Sequence, residues 1–172
     1  RGQQRRPGEL RTSPVWIGGA TLEDAVFVPP PPDEMQRALG DLEKFLHETD
    51  LPLLVQLAVA HYQFEVIHPF LDGNGRIGRL MIPLMLVLRD ALPQPLLYLS
   101  AYFEQHRSEY HDHLLITSQK GDLMPWIAFF LRGVRRQARD SEERTVRLGE
   151  LQHQLRNELL DEGRPNSVIR LA

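Results

Sequence analysis

His68-Pro69-Phe70-Leu71-Asp72-Gly73-Asn74-Gly75-Arg76-Ile77-Gly78-Arg79 decides how this chain is read. The stretch holds one titratable base, one carboxylate, one amide, two arginines and three glycines. Apolar runs flank it, residues 53–60 upstream and 80–88 downstream. A polar loop between two buried segments is costly, and function is the best reason to keep one. Upstream, Pro52 suits a first helical turn, and the run to Ile67 is apolar on almost every side, as in a central helix. His68 precedes proline, which pushes it out of the α region, so the helix is predicted to end there with the imidazole aimed into the loop. Gly73 and Gly75 permit positive φ and close backbone approach, and successive amides in such a loop form an anion-binding nest. The next helix is predicted to start near Asn74 or Gly75, its positive dipole end on the same spot. Arg76 and Arg79 fall on one face of its first turn. Free amides, a helix N-terminus and two arginines describe a polyphosphate site, beside which Asp72 is best explained as a ligand for Mg²⁺. Plainer readings exist: a Gly-Asn-Gly turn, an Asp72–Arg76 ion pair, a histidine closing a helix. Their coincidence between two buried helices favours a site.

The whole chain bounds the answer. Its 172 residues suffice for one domain with a sizeable core. Hydrophobic residues at 42% and charged residues at 25% are ordinary for a globular protein. A net charge of −3 argues against direct nucleic-acid binding by this part. Without cysteine there is no disulfide framework or thiolate chemistry, which suits a cytoplasmic location. No apolar run is long enough to span a bilayer, so no membrane is expected as a partner. No signal peptide is read, and the first residue is Arg1, which suggests a fragment of something longer.

Taken in order, residues 1–14 read as an extended arm. Val15-Trp16-Ile17 and Ala25-Val26-Phe27-Val28, with Gly18-Gly19 between, suggest a β-hairpin with a free edge, or else a surface loop with Trp16 in the core. After the stiff Pro29–Pro32 connector, Asp33 is expected to cap a helix whose stripe is Met35, Ala38, Leu39, Leu42, Phe45 and Leu46. His61 is expected in core or rim packing rather than in a metal shared with His68. Ser100 is expected to cap one helix running to about Gln119, and Gly121 and Asp122 to end it and cap the next. Pro83 is expected to bend the helix after the loop. Beyond Asp140 the spacing of Leu148, Leu151, Leu155 and Leu159 gives a helix needing a partner, this domain or another subunit, until Gly163 and Pro165 end it. Asn166-Ser167 would cap a further helix.

The loop resembles the signature of the Fic (filamentation-induced-by-cAMP) family, HPFx[DE]GNGRxxR, at every defined position. Related Doc-type toxins carry lysine in place of the second glycine and act as kinases, so Gly75 resembles the adenylyl-transferring branch. Pro7-Gly8-Glu9-Leu10-Arg11, residues 15–28 and Pro29–Pro32 are similar to the family's flap and its surroundings, and residues 97–110 to a further family segment. The resemblance implies a mainly α fold, helical around a central helix–loop–helix, with one β-hairpin flap. It divides the chain into an arm (1–14), a catalytic domain (15–140) and a C-terminal helix (141–172) leading toward a module not present. It implies transfer of AMP from ATP to a Ser, Thr or Tyr hydroxyl of a target protein. His68 would be the general base and Asp72 the Mg²⁺ ligand. Gly73, Asn74, Gly75, Arg76 and Arg79 would hold the phosphates, and Tyr110, Ile17 and Gly18 would border the nucleotide. The target would dock on the flap, and a homodimer is one expected assembly. The family's self-inhibitory pattern [ST]xxxE[GN] has no match: Glu162-Gly163 supplies its end, but Glu158 stands at its start. The sequence leaves open another group transfer on the same site, kinase-like or nucleotidyl, or an ATP-sensing regulator linked to a DNA-binding module.

Overall fold

The computed structural model describes residues 8–47 and 50–161, which form six helices. The readings placed on residues 1–7 and 162–172, including Glu162-Gly163 and Asn166-Ser167, lie outside the described residues. The helices are α1 (Pro32–His47), α2 (Leu53–Ile67), α3 (Asn74–Leu88), α4 (Leu99–Gln105), α5 (Arg107–Lys120) and α6 (Met124–Asp161). No helix among the described residues is long and apolar enough to cross a membrane.

The central position of α2 follows from its sequence. Leu57 and Ala58 pack into a cluster with Ile82 and Leu86 of α3, Tyr102 and Phe103 of α4, Tyr110 of α5, and Trp126, Phe129 and Phe130 of α6. Ala60, Phe64 and Ile67 join a second cluster with Met35 and Leu42 of α1. A helix apolar all round is thus buried by partners on several sides. Polar groups inside are matched: the Trp126 indole N–H donates to the Ala58 carbonyl (2.7 Å). The α1 stripe faces the second cluster as its spacing predicts, with Met35 and Leu42 buried and Ala38, Leu39, Phe45 and Leu46 half-buried against it. Gly121 closes α5 at φ 71, and Met124 N–H donates to the Asp122 carboxylate, as Gly-Asp predicts.

Several elements differ from the sequence reading. The hairpin is one antiparallel bridge, Ile17 to Phe27, without a strand among the described residues. Gly18 and Gly19 both have positive φ, and Pro29–Pro32 offer no N–H to lengthen a ladder. Trp16 is 46% exposed, so the flap does not anchor through it. α1 starts at Pro32, a favoured first-position proline, with Met35 N–H donating to the Pro31 carbonyl. Asp33 therefore sits inside the first turn rather than capping it. The expected helix from Ala101 is two helices broken at His106 (φ −114, ψ 38), where the imidazole bonds the Tyr102 carbonyl (2.9 Å); Tyr98, not Ser100, precedes α4. Pro83 lies inside α3, which runs on to Leu88, as expected of a proline read as bending the helix and not as ending it. α6 runs unbroken past Asp140, and Leu148, Leu151 and Leu155 lie exposed rather than docked on this domain.

Gly133 of α6 marks a close approach: a Cβ there would sit 2.5 Å from the Tyr102 ring. Gly133→Ala should cost about 1–3 kcal/mol in urea unfolding. Gly149→Ala, with open space around it, should be neutral or stabilise by up to about 1 kcal/mol.

Candidate active site

The loop between α2 and α3 is built from backbone constraints. α2 ends at Ile67 as predicted, but His68 adopts the left-handed region (φ 49, ψ 60) rather than an extended one. Gly73, at φ 89, precedes α3, which begins at Asn74. The first bond closing that turn runs from Ile77 N–H to the Gly73 carbonyl (3.0 Å). The N–H groups of Asn74, Gly75 and Arg76 therefore have no intrahelical acceptor, and the dipole adds positive potential there. The Asn74 side chain turns inward, accepting from Phe70 N–H (2.9 Å) and donating to the Phe70 carbonyl (2.7 Å). It braces the loop, leaving only its amide for a ligand.

A residue read from sequence only as part of the flap surroundings holds this loop in place. Arg11 is 1% exposed. Its guanidinium donates to the carbonyls of His68 (2.8 Å), Ile67 (3.3 Å), Ser13 (3.3 Å) and Pro30, and its N–H donates to the Pro69 carbonyl (2.9 Å). Residues 8–14, read as an extended arm, carry no helix or strand and are anchored at Arg11. One buried cation caps the end of α2 and ties it to the segment leaving the flap.

His68, Gly75, Arg79, Tyr110, Ile17 and Gly18 all line one cavity of about 450 Å³, a size usual for small-molecule sites. Val26, Phe27, Val66, Leu114 and Leu115 give it apolar walls. Asp72 and Arg76 lie outside that wall, exposed and 3.6 Å apart. An exposed pair of this kind is held weakly, by roughly 0–1 kcal/mol, and is easily exchanged for a ligand. Among the described residues no group of three His, Cys, Asp or Glu is placed to hold a metal. Asp72 is a single carboxylate, a donor set suited to a cation that takes its other ligands from phosphates and water.

Electrostatics keep the imidazoles neutral. Burial lowers the His68 pKa, the Glu65 carbonyl opposes this, and the Arg11 charge adds to the lowering. Because His68 Nδ1 faces that carbonyl at 3.3 Å, Nδ1 carries the hydrogen and Nε2 is left as the base. His61 is fully buried, as its core reading predicts, and burial brings it down to about 4. His111, also on the cavity wall, is lowered by burial and then by Arg107. Glu65 was not read from the sequence, although it is the only acidic residue of α2, and it lines the same cavity.

Comparison with known proteins follows the same loop. The Fic/DOC family matches residues 2–86. Protein adenylyltransferase Fic of Aedes aegypti is 33% identical over 144 residues, 82% of this chain and 24% of that protein. The Drosophila melanogaster protein of the same name is 33% identical over 125 residues, 71% of this chain and 23% of its own length. The chain thus spans about a quarter of these curated relatives. A Fic family protein from Desulfovibrio desulfuricans G20 superposes with a TM-score of 0.72 at 31% identity, covering 84% of this chain and 44% of that one. Fic-1 (residues 134–508) from C. elegans shares the fold at a TM-score of 0.60 and 24% identity, over 80% of this chain and 37% of that one.

Arg11→Ala would leave several carbonyls without their donor at the end of α2. It should lower stability by about 2–4 kcal/mol in urea unfolding, and Arg11→Lys should restore only part, because one ammonium cannot span the same carbonyls.

Proposed function

The chain belongs to the Fic/DOC family, and from that premise we propose that it transfers the adenylyl group of ATP to a Ser, Thr or Tyr hydroxyl of a target protein. The observation that supports this best is the convergence of a neutral His68 with Nε2 left as the base, the open first turn of α3 at Gly75, and Arg79 on one cavity beside the flap.

Each residue has a role the chemistry requires. His68 Nε2 takes the proton of the incoming hydroxyl as its oxygen bonds to the α-phosphorus. The bond from the α-phosphorus to the bridging oxygen breaks, and pyrophosphate leaves with that electron pair. Amides of Asn74, Gly75 and Arg76 stabilise the charge developing on the phosphate oxygens. Arg79 holds the phosphates from the cavity wall, and Arg76 reaches them by giving up its exposed pairing with Asp72. Asp72 would then hold Mg²⁺, whose chemistry is to neutralise phosphate charge. Tyr110, Ile17 and Gly18 border the base, in an apolar slot suited to a flat ring. The target segment docks along the free edge of residues 15–28, where Trp16, Val26 and Val28 are exposed. Residues 15–140 carry the catalytic unit, and the exposed leucines of α6 suit a second subunit or a following module. The lack of cysteine suits a reducing compartment such as the cytoplasm.

His68→Ala should abolish AMP transfer, by a factor of at least about 10², while ATP binding measured by calorimetry persists. Wild-type transfer rate in the mutant would overturn the base assignment. A lowered His68 pKa means the base stays neutral below the ordinary 6.5. The acid limb of the transfer rate should therefore fall with its midpoint below that value. Arg11→Gln removes the charge that helps lower it and should move the limb upward.

A further inference from the structure

Glu65 is the buried acid that the transfer chemistry does not use. Burial raises its pKa from 4.5 to about 7, opposed by the Arg79 charge and by hydrogen bonding with Tyr110. Its Oε1 has no hydrogen-bond partner and stands 3.9 Å from His61 Nε2. A Cβ on Gly78 would sit 2.6 Å from that same oxygen, so the carboxyl is wedged beneath the first turns of α3.

The hydrogen bonds around it have a direction. His61 Nδ1 lies 3.0 Å from the Gly78 carbonyl, which only accepts, so the single hydrogen of this neutral imidazole sits on Nδ1. His61 Nε2 is then an acceptor, and the Tyr110 hydroxyl donates to it at 3.0 Å. The phenol has one hydrogen, and it is spent. A bond between Glu65 and the Tyr110 oxygen therefore forms only if the carboxyl supplies the hydrogen. An ionised carboxylate would find the Tyr110 oxygen and His61 Nε2 with no hydrogen to share, leaving the Arg79 charge to favour it.

We propose that Glu65 is a positioning residue carried as a neutral acid: it donates to Tyr110, which donates to His61, which donates to Gly78, and this chain fixes the Tyr110 wall of the cavity to the start of α3. The ionisable and charged groups around Glu65 are His61 on α2, His68 at its end, Arg79 on α3, and Tyr110, His111 and Asp112 on α5; the flap residues across the cavity offer none. Arg79 is the charge among them that favours ionisation of Glu65. An anion seated on Arg79 removes that influence and favours the acid form. Binding of a polyphosphate and retention of the proton on Glu65 therefore reinforce each other. This second half rests on the nucleotide reading of the cavity, and the first half does not.

The sign follows. A carboxyl whose folded value is raised contributes its stability fully below the ordinary 4.5 and loses it as pH rises through about 7. ATP affinity should weaken over the same window. Glu65→Gln keeps the shape and a donor and cannot ionise, whereas Glu65→Leu keeps bulk without a donor.

Carbon-13 NMR of carboxyl-labelled glutamate, on the protein without nucleotide, identifies the Glu65 signal by its loss in Glu65→Gln. A midpoint near 7 supports the proposal, and a midpoint below 5 overturns it. ATP titrations with wild type and both variants, checked for folding by circular dichroism, form the second arm. The expected wild-type affinity falls about tenfold between pH 6 and pH 8.5, with Glu65→Gln flat and close to the wild-type value at pH 6, and Glu65→Leu about tenfold weaker there. Identical pH dependence in wild type and Glu65→Gln, or a glutamine variant as weak as the leucine one, overturns it. A midpoint near 7 with no ATP binding to wild type upholds the neutral acid and sinks the nucleotide reading instead.

Discussion

The structure depends on satisfying the backbone of a polar turn between two apolar helices, exposed at Leu71 and Asp72 but buried at Pro69 and Asn74. Water cannot reach these groups freely, so partners must come from the chain. Arg11 supplies them at the end of α2, donating to Ile67, His68 and Pro69. Asn74 supplies them at the start of α3, where its amide closes on both polar groups of Phe70. With both sides met internally, the left-handed turn at His68 and the positive φ at Gly73 are held without help from a ligand. The amides at the start of α3 are the exception. They are left unmatched within the helix at the place where an anion is expected.

The three arginines around this loop show how burial divides labour among identical side chains. Arg11 is fully buried, binds neutral carbonyls and acts as structure. Arg76 is exposed and holds Asp72 loosely. Arg79 lies between, on the cavity wall, and its charge reaches His61, Glu65, Tyr110 and His111. The imidazoles beside it are kept uncharged chiefly by desolvation. A cation next to neutral partners in an apolar slot keeps its attraction for an incoming phosphate. The same desolvation leaves His68 ready to accept a proton.

Much of this was legible because local rules suffice for it. The His68–Arg79 loop, the end of α2 and the start of α3, the buried α2, the stripe of α1 and the Gly121-Asp122 junction follow from periodicity, proline and glycine. Arg11 was not legible as a buried clamp, since its contacts with the loop are more than fifty residues away in sequence and the arginine sits in a stretch without periodicity. The break at His106 escaped because its cause is a side-chain bond to a carbonyl, which leaves no mark on apolar spacing. Glu65 does leave a signal, a lone carboxylate on an apolar helix, but it stands three residues before the motif and its partners come from α3 and α5. The flap reads as two strands by composition, yet a bridge is all that two left-handed glycines and four following prolines allow.

The position of the cavity follows from how the clusters divide the work. One cluster joins α2 to α3, α4, α5 and α6, and the other joins α2 to α1, with Phe70 of the loop packed against it. The cavity wall takes Tyr110 from the first cluster, the loop and Arg79 from the junction of α2 and α3, and Ile17 and Gly18 from the flap. Elements far apart in sequence meet there only if α2 is fixed against all of them. That explains why the crossing of α2 and α3 tolerates nothing at Gly78, where Glu65, Phe64 and His61 all lie within 3.4 Å of a Cβ. A methyl group at that crossing would push the first turns of α3 away from α2, and the open amides and Arg79 would move with them. The placing of the site thus depends on the helix contact beneath it, while a single bridge, Ile17 to Phe27, joins the two sides of the flap.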